Sequence, residues 1–281
     1  MTLKLRRLEK QPRAALSVAL FWCLSACTSV PLPEGTSLSS YAGMSPSGGT
    51  LTKAKLRLDS TPVLAAKTVR IVPTSTRIGS HGFNARDLAL VSNAIDRAIC
   101  TNLSDRFQIV PPSQPADLVI HATVTDIVAT NRLAAAGSIA ASLGASVADL
   151  GVPIPRLPIG LGGLAIEAEA LDKDGLQKAA MVWSRGANMI TTKARISTVG
   201  DAYSLSSTFA ADFSRMLVKG KDPFKGIPAI PSMQKLRVSL GGNPKYDACR
   251  VFGRAPGIPG MVAARFGLPP TWVDKGAVAS R

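Results

Sequence analysis

The sequence predicts an α+β fold: an antiparallel-rich sheet with helices packed on one face, plus a small-residue helical insertion. Apolar and polar residues alternate over residues 118–128, which is the pattern of a strand with one buried face. A second alternation over residues 164–170 is followed by a turn at Gly175 and by a returning stretch at residues 181–183, which indicates a hairpin. Apolar residues spaced three and four apart over residues 88–103 and 205–216 indicate two amphipathic helices.

Shorter patterns place the remaining elements. Residues 67–72 are rich in β-branched side chains and are followed by Pro73, which predicts a buried strand. Asn84 and Asp87 stand at the head of the first helical stretch, where an N-terminal cap is expected. Residues 107–110 predict a second short strand. The resulting order of strands and helices favours one α+β domain.

The N-terminus has the pattern of a bacterial export signal. Five basic residues within the first thirteen positions precede a short apolar run that ends in Leu24-Ser25-Ala26-Cys27. This run is too short to span a bilayer, and the last four residues resemble the lipobox of bacterial lipoproteins. The resemblance implies cleavage before Cys27 and attachment of diacylglyceryl and palmitate chains there. The alternative is an ordinary signal peptide cut near Ala26, with an incidental cysteine after it.

Composition divides the chain into four segments. Residues 1–26 predict a lipoprotein signal peptide, and residues 27–50, rich in Ser, Pro, Gly and Thr, predict a flexible tether. Residues 51–218 predict the α+β domain, with the insertion at residues 131–163. Residues 219–281 contain eight Pro and nine Gly among scattered basic side chains, which predicts a disordered tail.

The positive charge of the chain is concentrated in that tail. The whole sequence carries a formal net charge of +15, and residues 219–281 hold eleven Lys or Arg against three Asp. Such a tail favours contact with anionic cell-wall polymer or lipopolysaccharide. We expect no nucleic acid partner, because an exported protein rarely meets nucleic acid.

Cysteine usage leaves one pair to consider. If Cys27 carries lipid and Cys23 is removed with the signal, Cys100 and Cys249 remain in an oxidising compartment. They either form a disulfide that pins the tail to the main domain, or stay as two free thiols. The sequence leaves both alternatives open.

The insertion has an unusual composition. Small residues recur four positions apart within residues 133–163, for example at Gly137 and Ala141, and such spacing allows close helix contact. One interpretation is a segment that meets a membrane or another subunit. The other is a small-residue helix laid on its own sheet, which the weak hydrophobicity of the stretch favours.

No catalytic, cofactor or metal site is predicted. The two histidines, His81 and His121, lack a second ligand at metal-binding spacing. Glu167 and Glu169 share a strand face, as a carboxylate pair for glycoside hydrolysis would, but a solvated face opposite Arg185 is the simpler interpretation. We therefore expect a protein that is not an enzyme.

Several stretches of the chain resemble an uncharacterised family of bacterial lipoproteins, domain of unknown function 3313. They are Cys27 in its lipobox, residues 37–44, 67–72 and 116–120, and the 164–183 hairpin. The resemblance covers residues 27–218 and implies a location but no reaction. The order of elements is also similar to a small α+β domain of the Tol-system propeller protein and the curli-secretion lipoprotein, where it mediates assembly.

These observations predict a membrane-tethered envelope lipoprotein that acts as a non-enzymatic interaction or assembly module. Acylated Cys27 is the expected membrane contact, other envelope proteins are the expected partners, and Thr28 favours the outer membrane, facing the periplasm. One alternative is a membrane-active, ring-forming export or assembly component that uses residues 133–163. Another is a lipoprotein that binds anionic polymer through the basic tail.

Overall fold

The computed structural model describes residues 30–32, 34–78, 82–147, 156, 159–188, 190–226 and 230–276, without the side chains of residues 142–147. The predicted signal peptide, Cys27, Thr28 and His81 lie outside these residues. So do residues 148–155 of the predicted insertion.

Eight strands in the described part of the chain form one sheet. They are β1 (Ser45–Gly48), β2 (Thr52–Leu58), β3 (Thr68–Ile71), β4 (Ser75–Thr76), β5 (Gln108–Ile109), β6 (Leu118–Val128), β7 (Gly163–Asp172) and β8 (Gln177–Gly186). The order across the sheet is β1-β2-β8-β7-β6-β3-β5, with β4 beside β6. Strands β1, β2, β8, β7 and β6 pair antiparallel, whereas β3, β4 and β5 join in parallel. The predicted antiparallel-rich α+β fold is confirmed.

The described part of the chain also contains six helices and two short 3-10 turns. They are α1 (Ser60–Ala65), α2 (Ala85–Leu103), α3 (Arg132–Val147), α4 (Gly200–Lys219), α5 (Met233–Ser239) and α6 (Gly257–Arg265), with 3-10 turns at Asp247–Phe252 and Pro270–Trp272. Helices α2 and α4 pack together over one face of the sheet, as predicted. On α4, the buried ring of Phe209 lies 5.5 Å from that of Trp183 of β8, and Phe213 stacks on Phe209.

Both long helices begin or end where the sequence indicates. Asn84 caps α2, because its side chain accepts a hydrogen bond from the backbone N–H of Asp87 at 2.8 Å. Helix α4 ends at Gly220, whose φ of +59° is left-handed. A β-carbon at Gly220 would lie 2.7 Å from the side chain of Leu64, so glycine also lets α1 approach this helix end.

The opposite face of the sheet is covered by the segment that the sequence predicts to be a flexible tether. Residues 30–32 and 34–44, here called the N-terminal strap, lie across β7 and β8, and residues 45–48 form strand β1. Leu38 of the strap packs with Ala180 and Val182 in a small apolar cluster. The expectation of a tether over residues 27–50 is therefore corrected for the described residues, because few apolar side chains suffice when the sheet supplies their partners.

The tail also differs from the expected disorder. Residues 230–276 form α5, α6 and both 3-10 turns, and they pack against α2. Cys249 is bonded to Cys100 of α2, across 149 residues of sequence. Asp274 accepts a hydrogen bond from the Arg97 guanidinium at 2.5 Å, in an ion pair with little solvent contact. The tail folds because it docks on the domain through these non-local contacts, although its composition would not let it fold alone.

The insertion begins with a helix, α3. Asn131 caps it by accepting hydrogen bonds from the backbone N–H groups of Leu133 and Ala134, and Ala135 is buried. Gly267 of the tail approaches Ile139, so part of α3 rests on the tail. Among the described residues, none of the helices combines the length and the apolar character needed to cross a membrane.

The buried carboxyl of Asp96 on α2 predicts a pH dependence of stability. It accepts hydrogen bonds from the backbone N–H and hydroxyl of Thr74, at 3.0 and 2.5 Å, yet burial raises its pKa from 3.8 to about 7. Between those pH values the folded chain binds more protons than the unfolded chain, so this group makes the free energy of unfolding fall as the pH rises. We expect Asp96→Asn to reduce that decrease when urea unfolding is compared at pH 4 and pH 8. Equal pH profiles for the variant and the parent would contradict this assignment.

Candidate functional site

Glu167 of β7 fixes the N-terminal strap to the sheet. The side chain is buried, and one carboxylate oxygen accepts a hydrogen bond from the backbone N–H of Gly35 at 2.6 Å. The other oxygen accepts hydrogen bonds from the hydroxyl of Tyr41 at 2.7 Å, from the backbone N–H of Ser37 at 3.2 Å and from the Ser37 hydroxyl. Four donors of the strap therefore converge on one carboxylate.

Glu169, two residues along the same strand, holds the next part of the strap. Its Oε2 atom accepts hydrogen bonds from the backbone N–H and hydroxyl of Ser39, at 2.8 and 2.6 Å. The side-chain amide of Gln177 donates to the same oxygen at 2.8 Å. Together Glu167 and Glu169 form the carboxylate clasp, which gives buried acceptors to strap donors that would otherwise bond to water.

The structure corrects the expectation that Glu167 and Glu169 form a solvated face. Arg185 pairs with Leu164 in the β7–β8 register, whereas Glu167 lies opposite Val182, so the expected contact with Arg185 is absent. Both carboxylates are buried because the strap covers this face. Both oxygens of Glu167 and the Oε2 atom of Glu169 accept hydrogen bonds from strap donors, which indicates a structural role.

The other residues singled out in the sequence lie apart from the clasp. His121 is exposed on β6, opposite Glu169 in the strand register. Cys100 and Cys249 form a disulfide with a Cα–Cα distance of 5.9 Å. In the part of the chain that is described, no group of three His, Cys, Asp or Glu side chains could hold a metal ion.

A second feature is a cavity of about 600 Å³ between α2, α4, the loop after β8 and the tail. The sheet side contributes Arg185, the loop contributes Lys193 and Arg195, and α4 contributes Tyr203. The tail closes the cavity with residues of α5 and with Pro256. Because the Cys100–Cys249 bond joins α2 to the tail, it ties two walls of this cavity together.

The cavity is strongly basic. Five cations line it, namely Arg97, Arg185, Lys193, Arg195 and Lys235, and no carboxylate does so among the described lining residues. Two of them have carboxylate partners nearby: Arg97 pairs with Asp274, and Lys235 pairs with Asp105 at 2.8 Å. The other three form no salt bridge within the described part of the chain.

Arg195 is the most buried of these three unpaired cations. Only 9 % of the residue is exposed, and its Nε and Nη1 atoms have no hydrogen-bond partner among the described residues. The guanidinium lies 5.3 Å from the ring centre of Tyr203, a cation–π contact. Burial lowers the pKa of Arg195, and neighbouring Asp274 acts in the opposite direction. An arginine nonetheless stays charged at neutral pH.

Sequence reasoning missed this cavity. A local signal does exist, since three cations and two threonines lie within residues 185–195. The cavity is not visible in that stretch alone, because two of its walls come from α2 and from a tail that composition assigns to disorder. The cavity forms around these charges because the docked tail supplies its remaining wall.

The sequence matches a family model, Protein of unknown function (DUF3313), over residues 34–213. The chain belongs to this family. The matched region runs from the strap through most of α4, so it includes the carboxylate clasp and one side of the basic cavity. The tail, which supplies the opposite side of the cavity, follows the matched region.

Among solved structures, the DUF3313 chain is similar to two forms of a PelC dodecamer from Paraburkholderia phytofirmans. One is an L103M variant with 10 % identity and a TM-score of 0.32, covering 56 % of this chain and 93 % of the other. The second has 12 % identity and a TM-score of 0.34, covering 56 % and 94 %. At TM-scores this low, neither structure indicates the architecture or the assembly of this chain. No curated protein matches the sequence.

Proposed function

We propose that this DUF3313 protein is a bacterial envelope lipoprotein, anchored through Cys27 in the outer membrane, that acts in the periplasm as a non-enzymatic interaction or assembly module. The observation that carries the proposal is the docked strap. A lipobox cysteine followed by a free linker would leave the domain mobile, whereas here the chain is bound to the sheet within a few residues of Cys27.

The position of Val30 supports a short connection to the membrane. Val30 is buried, and its carbonyl accepts a hydrogen bond from the hydroxyl of Ser184 at 3.3 Å. A β-carbon at Gly163 would collide with Val30, so the strap lies directly on the start of β7. Val30 follows Cys27 by three positions, which is a reach of about 10 Å at full extension. An anchor at Cys27 would hold this end of the sheet beside the bilayer.

The surroundings of this end of the sheet fit a position near lipid headgroups. Leu133 at the start of α3 and Ile190 after β8 are each 85 % exposed. Residue 131, just before α3, is joined to residue 160, just before β7, by a backbone hydrogen bond of 2.9 Å. These segments leave the sheet at the end where Val30 packs, so their exposed apolar side chains would point toward the membrane side of an anchored domain.

The hydrogen bonds of the two buried glutamates favour surface interaction over catalysis as the function. The carboxylates with the spacing of an acid–base pair, Glu167 and Glu169, are already bonded to the strap. The exposed faces of the insertion and the tail would then be available to other envelope proteins.

Replacing the anchor residue tests the proposal. We expect the parent chain, expressed in a Gram-negative host with labelled palmitate, to carry the label and to fractionate with outer membranes. Cys27→Ser should lose the label and accumulate at the mass of the uncut precursor, because both lipid attachment and cleavage need the thiol. Cys23→Ser, four residues earlier, is the matched control and should behave as the parent. A labelled Cys27→Ser protein, or one that still matures, would contradict the proposal.

A further inference from the structure

We propose that the basic cavity is a binding site for a phosphorylated sugar or polyol. The site does not depend on the anchor at Cys27, since its walls are α2, α4, the loop after β8 and the tail. Its volume of about 600 Å³ lies within the ordinary range of small-molecule sites and exceeds what a single inorganic phosphate fills.

The unpaired cations indicate an anionic ligand. A buried guanidinium whose N–H groups lack acceptors is destabilising, so its retention needs a compensating partner. Asp274 is the carboxylate whose charge acts on Arg195. It already accepts hydrogen bonds from the Arg97 guanidinium, from the Tyr203 hydroxyl at 2.6 Å and from the backbone N–H of Gly276 at 2.9 Å. It therefore has little capacity left for Arg195.

Arg185 also lacks a salt-bridge partner among the described residues. Asp212 is close enough to interact with its charge, but this carboxylate already accepts a hydrogen bond from the Trp183 indole and pairs with Arg215. Its Nε atom is buried without a partner in the described residues, and its Nη1 atom makes one weak contact of 3.3 Å with the hydroxyl of Thr52. Lys193 is exposed at the mouth of the cavity and adds a third charge. Two guanidinium forks and an ammonium group suit the several oxygens of a phosphate ester, which accepts paired N–H donors and carries up to two charges.

The uncharged part of the cavity indicates the remainder of the ligand. Hydroxyl and amide side chains line it beside the cations, among them Thr101, Asn102, Thr192, Ser204 and Thr208. Thr101, Asn102 and Ser204 each donate a hydrogen bond to a carbonyl of their own helix, so their oxygen atoms face the cavity mainly as acceptors. Such acceptors match the hydroxyls of a sugar or polyol better than an acyl chain, which has no donor. Tyr203, an aromatic residue that lines the cavity, is engaged by Arg195.

Titration calorimetry with the full-length chain in detergent tests the assignment. The probes are glucose 1-phosphate, inorganic phosphate and glucose. We expect glucose 1-phosphate to bind at least about tenfold more tightly than either of the other two, because each supplies only one half of the contacts. Equal binding of phosphate and glucose 1-phosphate, or no binding of glucose 1-phosphate, would overturn the proposal.

Charge-reversal variants locate the binding. Lys193→Glu changes an exposed side chain, so the fold should be retained, and we expect at least about tenfold weaker binding of glucose 1-phosphate. Arg195→Gln should weaken it at least as much. Lys173→Glu, an equal charge change on the exposed β7–β8 turn, is the matched control and should bind as the parent. A Lys193→Glu affinity equal to that of Lys173→Glu would overturn the site.

The phosphate ester can belong to a lipid headgroup or to a soluble sugar phosphate, and a competition experiment distinguishes these two sources. Micelles doped with phosphatidylglycerol that displace glucose 1-phosphate, when phosphatidylcholine micelles do not, would identify a lipid headgroup as the source. Failure of both micelles to displace the probe would identify a soluble sugar phosphate.

Discussion

Glu167→Gln is expected to lower the free energy of unfolding by about 3 kcal/mol and to release the N-terminal strap. Four strap donors converge on the Glu167 carboxylate, and a side-chain amide would turn one acceptor atom into a donor facing them. Buried donors left without an acceptor cost about 1 to 3 kcal/mol each, and the loss of a charged acceptor adds to this. Urea unfolding gives the energy, and limited proteolysis within residues 30–44 reports the release.

Glu34→Gln is the matched control for this prediction. Glu34 is the strap residue directly before Gly35, and its ion pair with Lys55 at 2.6 Å is partly exposed. Exposed pairs contribute less than about 1 kcal/mol, so this variant should unfold close to the parent. Similar unfolding of Glu34→Gln and Glu167→Gln would show that the carboxylate clasp does not hold the strap.

Removal of the Cys100–Cys249 disulfide should lower the free energy of unfolding by about 2 to 5 kcal/mol. The bond joins residues 149 positions apart, so it removes much conformational freedom from the unfolded chain. It also attaches the tail to α2, and we expect the backbone amides of residues 230–276 to exchange faster with solvent in the variant. The measurement is urea unfolding of Cys100→Ala/Cys249→Ala beside the parent.

Reductant supplies the control for the disulfide. It should destabilise the parent to the level of the double variant and leave the double variant unchanged. A parent that is insensitive to reductant, or a double variant as stable as the oxidised parent, would contradict the conclusion that the disulfide holds the tail on α2.

The sheet and both long helices could be predicted because their signals are local. Strands β6 and β7 show alternation along a few residues, β8 follows β7 through the turn at Gly175, and α2 shows a cap at Asn84 followed by a regular apolar stripe. The prediction that Glu167 and Glu169 form a solvated strand face was wrong. Alternation indicates that two faces differ, but it cannot show that the polar face is covered by another segment of the same chain.

The strap and the tail were misjudged because their structure depends on distant partners. Leu38 and Tyr41 are too few to form a core alone, yet they pack on a sheet face that is already ordered. The tail is held by a disulfide and by the Arg97–Asp274 pair, neither of which leaves a periodic pattern in the sequence. The basic cavity is a consequence of that docking, so no single stretch of the sequence indicates it.

Hydrogen exchange of the strap amides in the full-length chain tests most directly whether the segment after Cys27 is docked on the sheet. The backbone N–H groups of Gly35, Ser37 and Ser39 donate to buried carboxylates, so we predict protection comparable to that of strands β7 and β8. Glu167→Gln should abolish the protection of Gly35 and Ser37 first. Exchange of all three amides in the parent at the rate of an unstructured linker would contradict the account.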